Sequence, residues 1–138
     1  MSAPDYITSK AVARANASFY RAFRELDLAA MRKLWLDDPS VKCVHPGGEV
    51  LIGTERVLAS WEAIFSHTQS IEFEIADLAI EVYGEVAWVT DVERIQTPAQ
   101  EGWHVSEAAA TNLYVLRGEE WRIVLHHASL IARRFFAD

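Results

Sequence analysis

The chain opens with apolar positions at helical spacing. Val12, Ala15, Phe19, Phe23 and Leu26 recur every three or four residues, with Arg14, Arg21, Arg24 and Glu25 on the other side. The spacing predicts a helix over about 10–26, capped by Thr8 or Ser9. Asp27 then caps a shorter helix with Leu28, Met31, Leu34 and Trp35 on one face, stopped by Asp37-Asp38-Pro39. Residues 41–45 read as a strand, with Val41, Cys43 and His45 alternating onto one face. Pro46-Gly47-Gly48 is a turn and Val50-Leu51-Ile52 a short strand. A third helix follows Gly53, with Thr54 as its cap and Val57, Leu58, Trp61, Ile64 and Phe65 as its apolar stripe.

From Ile71 the period changes to two. Ile71, Phe73 and Ile75 alternate with Glu72 and Glu74, and Leu78, Ile80 and Val82 take up the apolar phase. The switch near Ala76-Asp77 predicts a bulge or bend in one long strand. Further strands are expected over 86–96, 103–116 and 121–131, separated by turns. Helix, helix, strand, strand, helix and a four-strand meander make one α+β domain, with helices on one face of a strongly bent antiparallel sheet.

Composition narrows the function classes. With 138 residues, 51% of them hydrophobic and 24% charged, the chain is one globular domain. Thirteen Lys and Arg against twenty Asp and Glu leave a net charge of -7. Such a domain is repelled by nucleic acid and by anionic membranes. No apolar run is long enough to span a bilayer, and no basic start followed by an apolar stretch suggests a secretion signal. Cys43 is alone, which excludes an internal disulfide and makes a reducing cytoplasm the expected compartment. Five Trp, six Phe and four Tyr are many for this length, enough to line a cavity or an interface as well as a core.

Several stretches are similar to the nuclear transport factor 2-like superfamily, which includes ketosteroid isomerases and SnoaL-like proteins. They are Leu34-Trp35-Leu36-Asp37-Asp38, Val44-His45-Pro46-Gly47-Gly48, Gly53-Thr54-Glu55-Arg56-Val57-Leu58-Ala59-Ser60-Trp61, and Ala110-Thr111-Asn112-Leu113-Tyr114-Val115-Leu116 followed by Trp121-Arg122-Ile123-Val124-Leu125-His126-His127-Ala128-Ser129. The second and fourth of these most resemble the SnoaL-like branch. The resemblance covers nearly the whole chain, 1–138, as a single domain. It implies a cone of curved sheet and three N-terminal helices with an apolar pocket at its open end, and a homodimer through the outer sheet face. It does not fix an activity, because the superfamily hosts enzymes and binding modules alike.

In the ketosteroid isomerase pocket, an Asp base precedes a Pro, and a helix Tyr and a neutral strand Asp form the oxyanion hole. On this chain those positions fall on His45, Phe19 and Asn112, with Tyr20 next to Phe19 but turned about a hundred degrees away. The phenol is therefore absent from its expected position. A lost oxyanion-hole donor costs roughly 3 to 4 kcal/mol of transition-state stabilisation, so steroid isomerisation is not expected.

The candidate residues follow. His45, pointed inward by strand alternation, is the candidate acid/base; the alternative is a buried His bonded to a carbonyl. Asn112, an amide on an apolar strand, either grips a ligand carbonyl or ties down a neighbouring strand or His45. The resemblance puts His126 on the pocket side with Val124 and Ala128 as an auxiliary hydrogen-bonding group, and His127 on the outer face. Asp91 either orients an imidazole or is a solvated or dimer-edge carboxylate, and the latter is the expected role of Glu93. Phe19, Phe23, Trp35, Trp61, Phe65 and Tyr20 are candidate lining residues, with Trp35, Trp61 and Tyr20 at the rim and the rest shading into core. Cys43 reads as a buried inert thiol. His45, His126 and Asp91 form a conceivable ligand set for a metal, but no short-range ligand spacing supports it and none is expected. No Gly-rich phosphate loop points to a nucleotide cofactor.

Two readings stay open. The domain is either a cofactor-free enzyme or enzyme-like binder of a small apolar carbonyl-bearing molecule, doing isomerase- or lyase-type acid/base chemistry, or a non-catalytic binding or dimerisation module. Trp103 and Trp121 are expected on the outward face of the last strands, where a second copy would cover them.

Overall fold

The structure, a computed structural model, describes residues 3–132. Helix α1 spans Ala3–Arg24, beginning well before the expected start at Lys10, so Thr8 and Ser9 lie inside it rather than capping it. The apolar stripe begins only at Val12, and a polar first stretch carries no period from which its start can be read. The helix ends with Leu26 at φ 55, where Leu26 N donates to Phe23 O at 3.1 Å and Asp27 N to Ala22 O at 2.9 Å. That is a Schellman ending with Leu in the place that usually takes Gly. Its strain is offset by packing of the Leu26 side chain on the core.

Asp27 caps α2, Leu28–Leu34, accepting from Ala30 N at 3.0 Å, as the sequence suggested. Trp35 is not on this helix. It is extended and forms a parallel bridge with Ile123. Strands β1, Lys42–Val44, and β2, Leu51–Ile52, precede α3, Thr54–Ser66. Gly53, at φ 96, is the cap of α3 and Thr54 its first residue. The Thr54 hydroxyl instead receives Asp38 N at 2.8 Å and lies 3.1 Å from the carbonyl oxygens of Leu36 and Asp38, tying down the loop after α2.

The meander is β3, Glu72–Tyr83, β4, Val86–Pro98, β5, Trp103–Arg117, and β6, Glu120–Leu130. The sheet order is β2-β1-β6-β5-β4-β3, antiparallel except where β1 runs parallel to β6. The expected bend in β3 is present. Its register skips between Ala76 and Ala79, and Asp77 adopts φ 54. A second irregularity, in β6, puts Ile123 opposite Tyr114 while His126 stays opposite Asn112. Ile123 thus takes a fully buried place, and Val124 is only partly buried against the core. These bends curl the sheet around α1.

The curl has one consequence for the site. Helix α1 is enclosed on more than one side, so adjacent residues are both buried. Phe19 meets Trp61 and His126, while Tyr20 meets Phe73 on β3. Trp121, expected outside, is partly buried against the core, and Trp103 is 55% exposed.

Candidate functional site

The concave face of β4 and β5 alternates with the solvent face. On β4, Ala87, Val89, Asp91 and Glu93 are buried; on β5, Ala108, Ala110, Asn112 and Tyr114 are. Glu93 is 2% exposed, and so is not the solvated or dimer-edge carboxylate its charge suggested. Two carboxyls therefore enter an apolar cone, an arrangement that costs several kcal/mol per ion unless the groups are paired or neutralised.

Tyr20 receives both of them. Its hydroxyl oxygen is 2.7 Å from Glu93 Oε2 and 2.9 Å from Asp91 Oδ1. A phenol has one proton to donate, and two ionised carboxylates cannot both accept it. At least one of the carboxyls accordingly keeps its own proton and donates to the phenol oxygen. Burial raises the pKa of both carboxyls, that of Glu93 to about 7, and it pushes the Tyr20 phenol far above its ordinary value.

A chain of amides and rings extends from this centre. Asn112 Nδ2 donates to Asn16 Oδ1 at 2.9 Å and approaches the Tyr20 hydroxyl at 3.3 Å. Tyr114 donates to the same Asn16 oxygen at 2.8 Å, and Asn16 Nδ2 reaches Asp91 Oδ2 at 3.4 Å. Asn112 Oδ1 lies 2.6 Å from His126 Nδ1. Since that oxygen can only accept, His126 carries its proton on Nδ1, and its Nε2 presents a lone pair 4.0 Å from Glu93 Oε2. Burial, with smaller contributions from His45 and His127, lowers the His126 pKa to about 3, so the ring is neutral.

His45 sits at the edge of this network, half-buried, its ring 4.8 Å from Trp61 and 6.3 Å from His126. Ser60 donates its hydroxyl proton to Val57 O at 2.6 Å, so His45 Nε2, at 2.9 Å, donates to Ser60. Its Nδ1 lone pair has no partner among the described residues. Burial lowers the His45 pKa, which favours the neutral base. Cys43 Sγ is 3.5 Å from His45 Nε2, but burial raises its pKa and keeps it a thiol. Among the described residues, the buried Trp61 Nε1 and Trp35 Nε1 also lack a hydrogen-bond partner.

Of the residues singled out from sequence, Phe19, Tyr20, His45, Trp61, Asp91, Asn112 and His126 come together. Phe23 and Phe65 pack behind Trp61, at ring distances of 4.8 and 5.8 Å. Trp35 lies instead beside Ile123. Sequence reasoning missed Asn16, Ser60, Tyr114 and the burial of Glu93. Asn16 had a usable signal, standing one helical turn before Tyr20 and so on its face. Tyr114 had another, two residues from Asn112 on one strand face. Among the described residues, no group of three or more His, Cys, Asp and Glu is arranged to hold a metal.

Among the described residues, clefts of two sizes open on the sheet, and neither is lined by His45, Glu93 or His126. One of about 430 Å³ is lined on the outer face by residues such as Thr90, Val92, Ala109, Thr111 and His127, and also touches Asp91. The other, about 960 Å³, lies at the far end of the strands, where Arg94 bridges Glu74 and Glu107. No helix among the described residues is long and apolar enough to cross a membrane.

Comparison with known proteins agrees with this architecture. A candidate dehydratase of the NTF2-like family from Streptomyces avermitilis has a solved structure with a TM-score of 0.87 and 32% identity, over 94% of this chain and 99% of that one. A candidate calcium/calmodulin-dependent protein kinase type II association domain from Thiobacillus denitrificans gives a TM-score of 0.78 and 29% identity, over 86% of this chain and 93% of that one. The F-box protein SKIP8 of Arabidopsis thaliana is 29% identical over 126 residues, which are 91% of this chain and 52% of that protein. The chain thus spans about half the length of this curated relative. The SnoaL-like domain family matches residues 12–133, nearly the whole chain. The fold, the buried polar centre and this match lead to one identification: the chain belongs to the SnoaL-like domain family.

Proposed function

We propose that the domain binds a small, largely apolar molecule carrying a carbonyl and a β-hydroxyl, and catalyses cofactor-free loss of water. The observation that carries the reading is the meeting of two buried carboxyls at one phenol, since such a centre must hold a proton at neutral pH. Glu93 is the acid and His45, through its unengaged Nδ1, the base. His45 takes the α-proton, and the C–H electrons form the carbon–carbon double bond. The β carbon–oxygen bond breaks, and the departing hydroxyl takes the Glu93 proton and leaves as water. His126 Nε2 accepts a hydrogen bond from the ligand hydroxyl, and the unpartnered Trp61 Nε1 donates to its carbonyl. Asn112 has a supporting role here, because its amide is engaged by Asn16 and His126. Phe19, Tyr20 and Trp61 are the aromatic side chains against this centre, with Phe23 and Phe65 packed behind Trp61, and Asp91 is the counterpart carboxyl. The relationship to a candidate dehydratase at 32% identity supports this reaction class.

A second reading is favoured by a different observation. The amides and carboxyls of the cone are paired with one another, as expected of a binding or assembly module, and one relative is a candidate association domain. Both readings include a homodimer through the outer sheet face in a cytoplasmic setting.

The test is incubation with a β-hydroxyketone bearing a phenyl ring, whose dehydration gives a conjugated enone seen by its absorbance. Enone formation that falls at least tenfold in Glu93→Gln and His45→Gln supports the first reading. A folded dimer with no turnover on a panel of such ketones, and no small molecule retained in native mass spectrometry, supports the second.

A further inference from the structure

The side chains around the two carboxyls are not equivalent partners. Asn16 has a fixed orientation. Its Oδ1 receives Asn112 Nδ2 at 2.9 Å and the Tyr114 hydroxyl at 2.8 Å. Turning the amide over would set its NH2 against the Asn112 NH2 and its oxygen against a carboxyl. Asn16 Nδ2 therefore faces Asp91 Oδ2, at 3.4 Å. Asp91 thus has an amide donor that Glu93 lacks, while both share the Tyr20 hydroxyl.

We propose that Asn16 and Tyr114 are positioning residues that decide which carboxyl carries the shared proton. Asn16 holds Asp91 as the carboxylate, Tyr20 donates to Asp91, and Glu93 keeps its proton and donates it to the Tyr20 oxygen. The inference deepens the proposed function, resting on its reading of Glu93 as the acid, and adds the two residues that make it so.

The groups facing the pair agree with this assignment. Asn16 and Tyr20 come from α1, Cys43 from β1, His45 from the residue just after β1, Asn112 and Tyr114 from β5, and His126 from β6. No Lys or Arg is buried among the described residues, and His126 is neutral, so no cation favours ionisation of Glu93. The Asp91 carboxyl is also raised by burial, but the bonds from Tyr20 and Asn16 pull it back.

The experiment is a carbon-13 NMR titration of the side-chain carboxyls in the full chain. Glu93 is expected to titrate near neutral pH and Asp91 below it. Asn16→Leu should raise the Asp91 midpoint by about one pH unit and lower that of Glu93, as the proton redistributes. Tyr114→Phe, which removes only a hydroxyl, should move both in the same directions by less. Asp91 titrating above Glu93 in the unaltered chain would overturn the proposal, as would unmoved midpoints in both folded variants. If neither variant folds, the order of titration in the unaltered chain still decides. The readout does not depend on turnover: the expected titrations without turnover sink the enzyme reading alone, and turnover with inverted titrations sinks this assignment alone.

Discussion

The hydroxyl oxygen of Tyr20 lies 2.7 Å from Oε2 of Glu93, a residue 73 positions further along the chain. This contact joins α1 to β4 across the concave face of the sheet. It also makes the charge of the cone depend on where the helix sits. Moving α1 would leave a buried carboxyl without its partner, a loss of about 1–3 kcal/mol for each unsatisfied group.

Glu93 makes stability depend on pH in a definite direction. Its folded pKa is raised from 4.5 to about 7, so its contribution is fully present below pH 4.5 and is lost as pH rises through 7. His126 acts in the opposite sense, with its pKa lowered from 6.5 to about 3, so it adds stability as pH rises between those values. The two mask each other in the unaltered chain. Glu93→Gln removes only the first. Its stability relative to the unaltered chain should climb by about 3 kcal/mol between pH 4.5 and 7 and then level off, as read by urea denaturation at each pH. A flat difference across that range would show that Glu93 is ionised in the folded chain.

Asn112 holds the network together from the middle. Asn112→Leu keeps the volume but leaves the Asn16 oxygen short of a donor and the His126 Nδ1–H without an acceptor. The expected cost is about 2–4 kcal/mol. By contrast, Arg94→Ala breaks two exposed ion pairs, to Glu74 and Glu107, which solvent screens, and should cost far less than Asn112→Leu. Chemical denaturation of the two variants side by side checks the ranking.

Much of the fold was legible because it is periodic. The change from helical spacing before Ser66 to alternation after Ile71 marks the passage from helices to meander, and the phase slip at Ala76-Asp77 marks the bend. Element starts without a periodic signal were not legible, as at Ala3 of α1 and at the Gly53 cap of α3. The site was half legible. Alternation places Asp91 and Glu93 on one face with Ala87 and Val89, which leaves a cavity role open for Asp91, yet the charge of Glu93 argues for solvent. What allows their burial is a phenol on a helix more than seventy residues earlier, a contact that no local pattern carries. Tyr20 reads from sequence as a rim residue, turned away from Phe19 and so from the polar centre. That inference holds for a helix lying on a flat sheet and fails for one that a curled sheet encloses.

The outer face carries its own prediction. Thr111 lies in the outer cleft beside Ala109 and His127. Thr111→Arg would place a charge in the centre of the proposed dimer contact. Sedimentation should then show a dimer for the unaltered chain and a monomer for the variant, with stability otherwise changed by no more than about 0.5 kcal/mol. A species of unchanged mass would move the contact elsewhere.

On the reading proposed above, the cone holds a protonated carboxylic acid at near-neutral pH. Infrared difference spectroscopy of the unaltered chain against Glu93→Gln, at pH 6, reads it most directly. The expected result is a carbonyl stretch of a protonated, hydrogen-bonded carboxylic acid that disappears in the variant. A difference spectrum showing only loss of ionised carboxylate bands would contradict it.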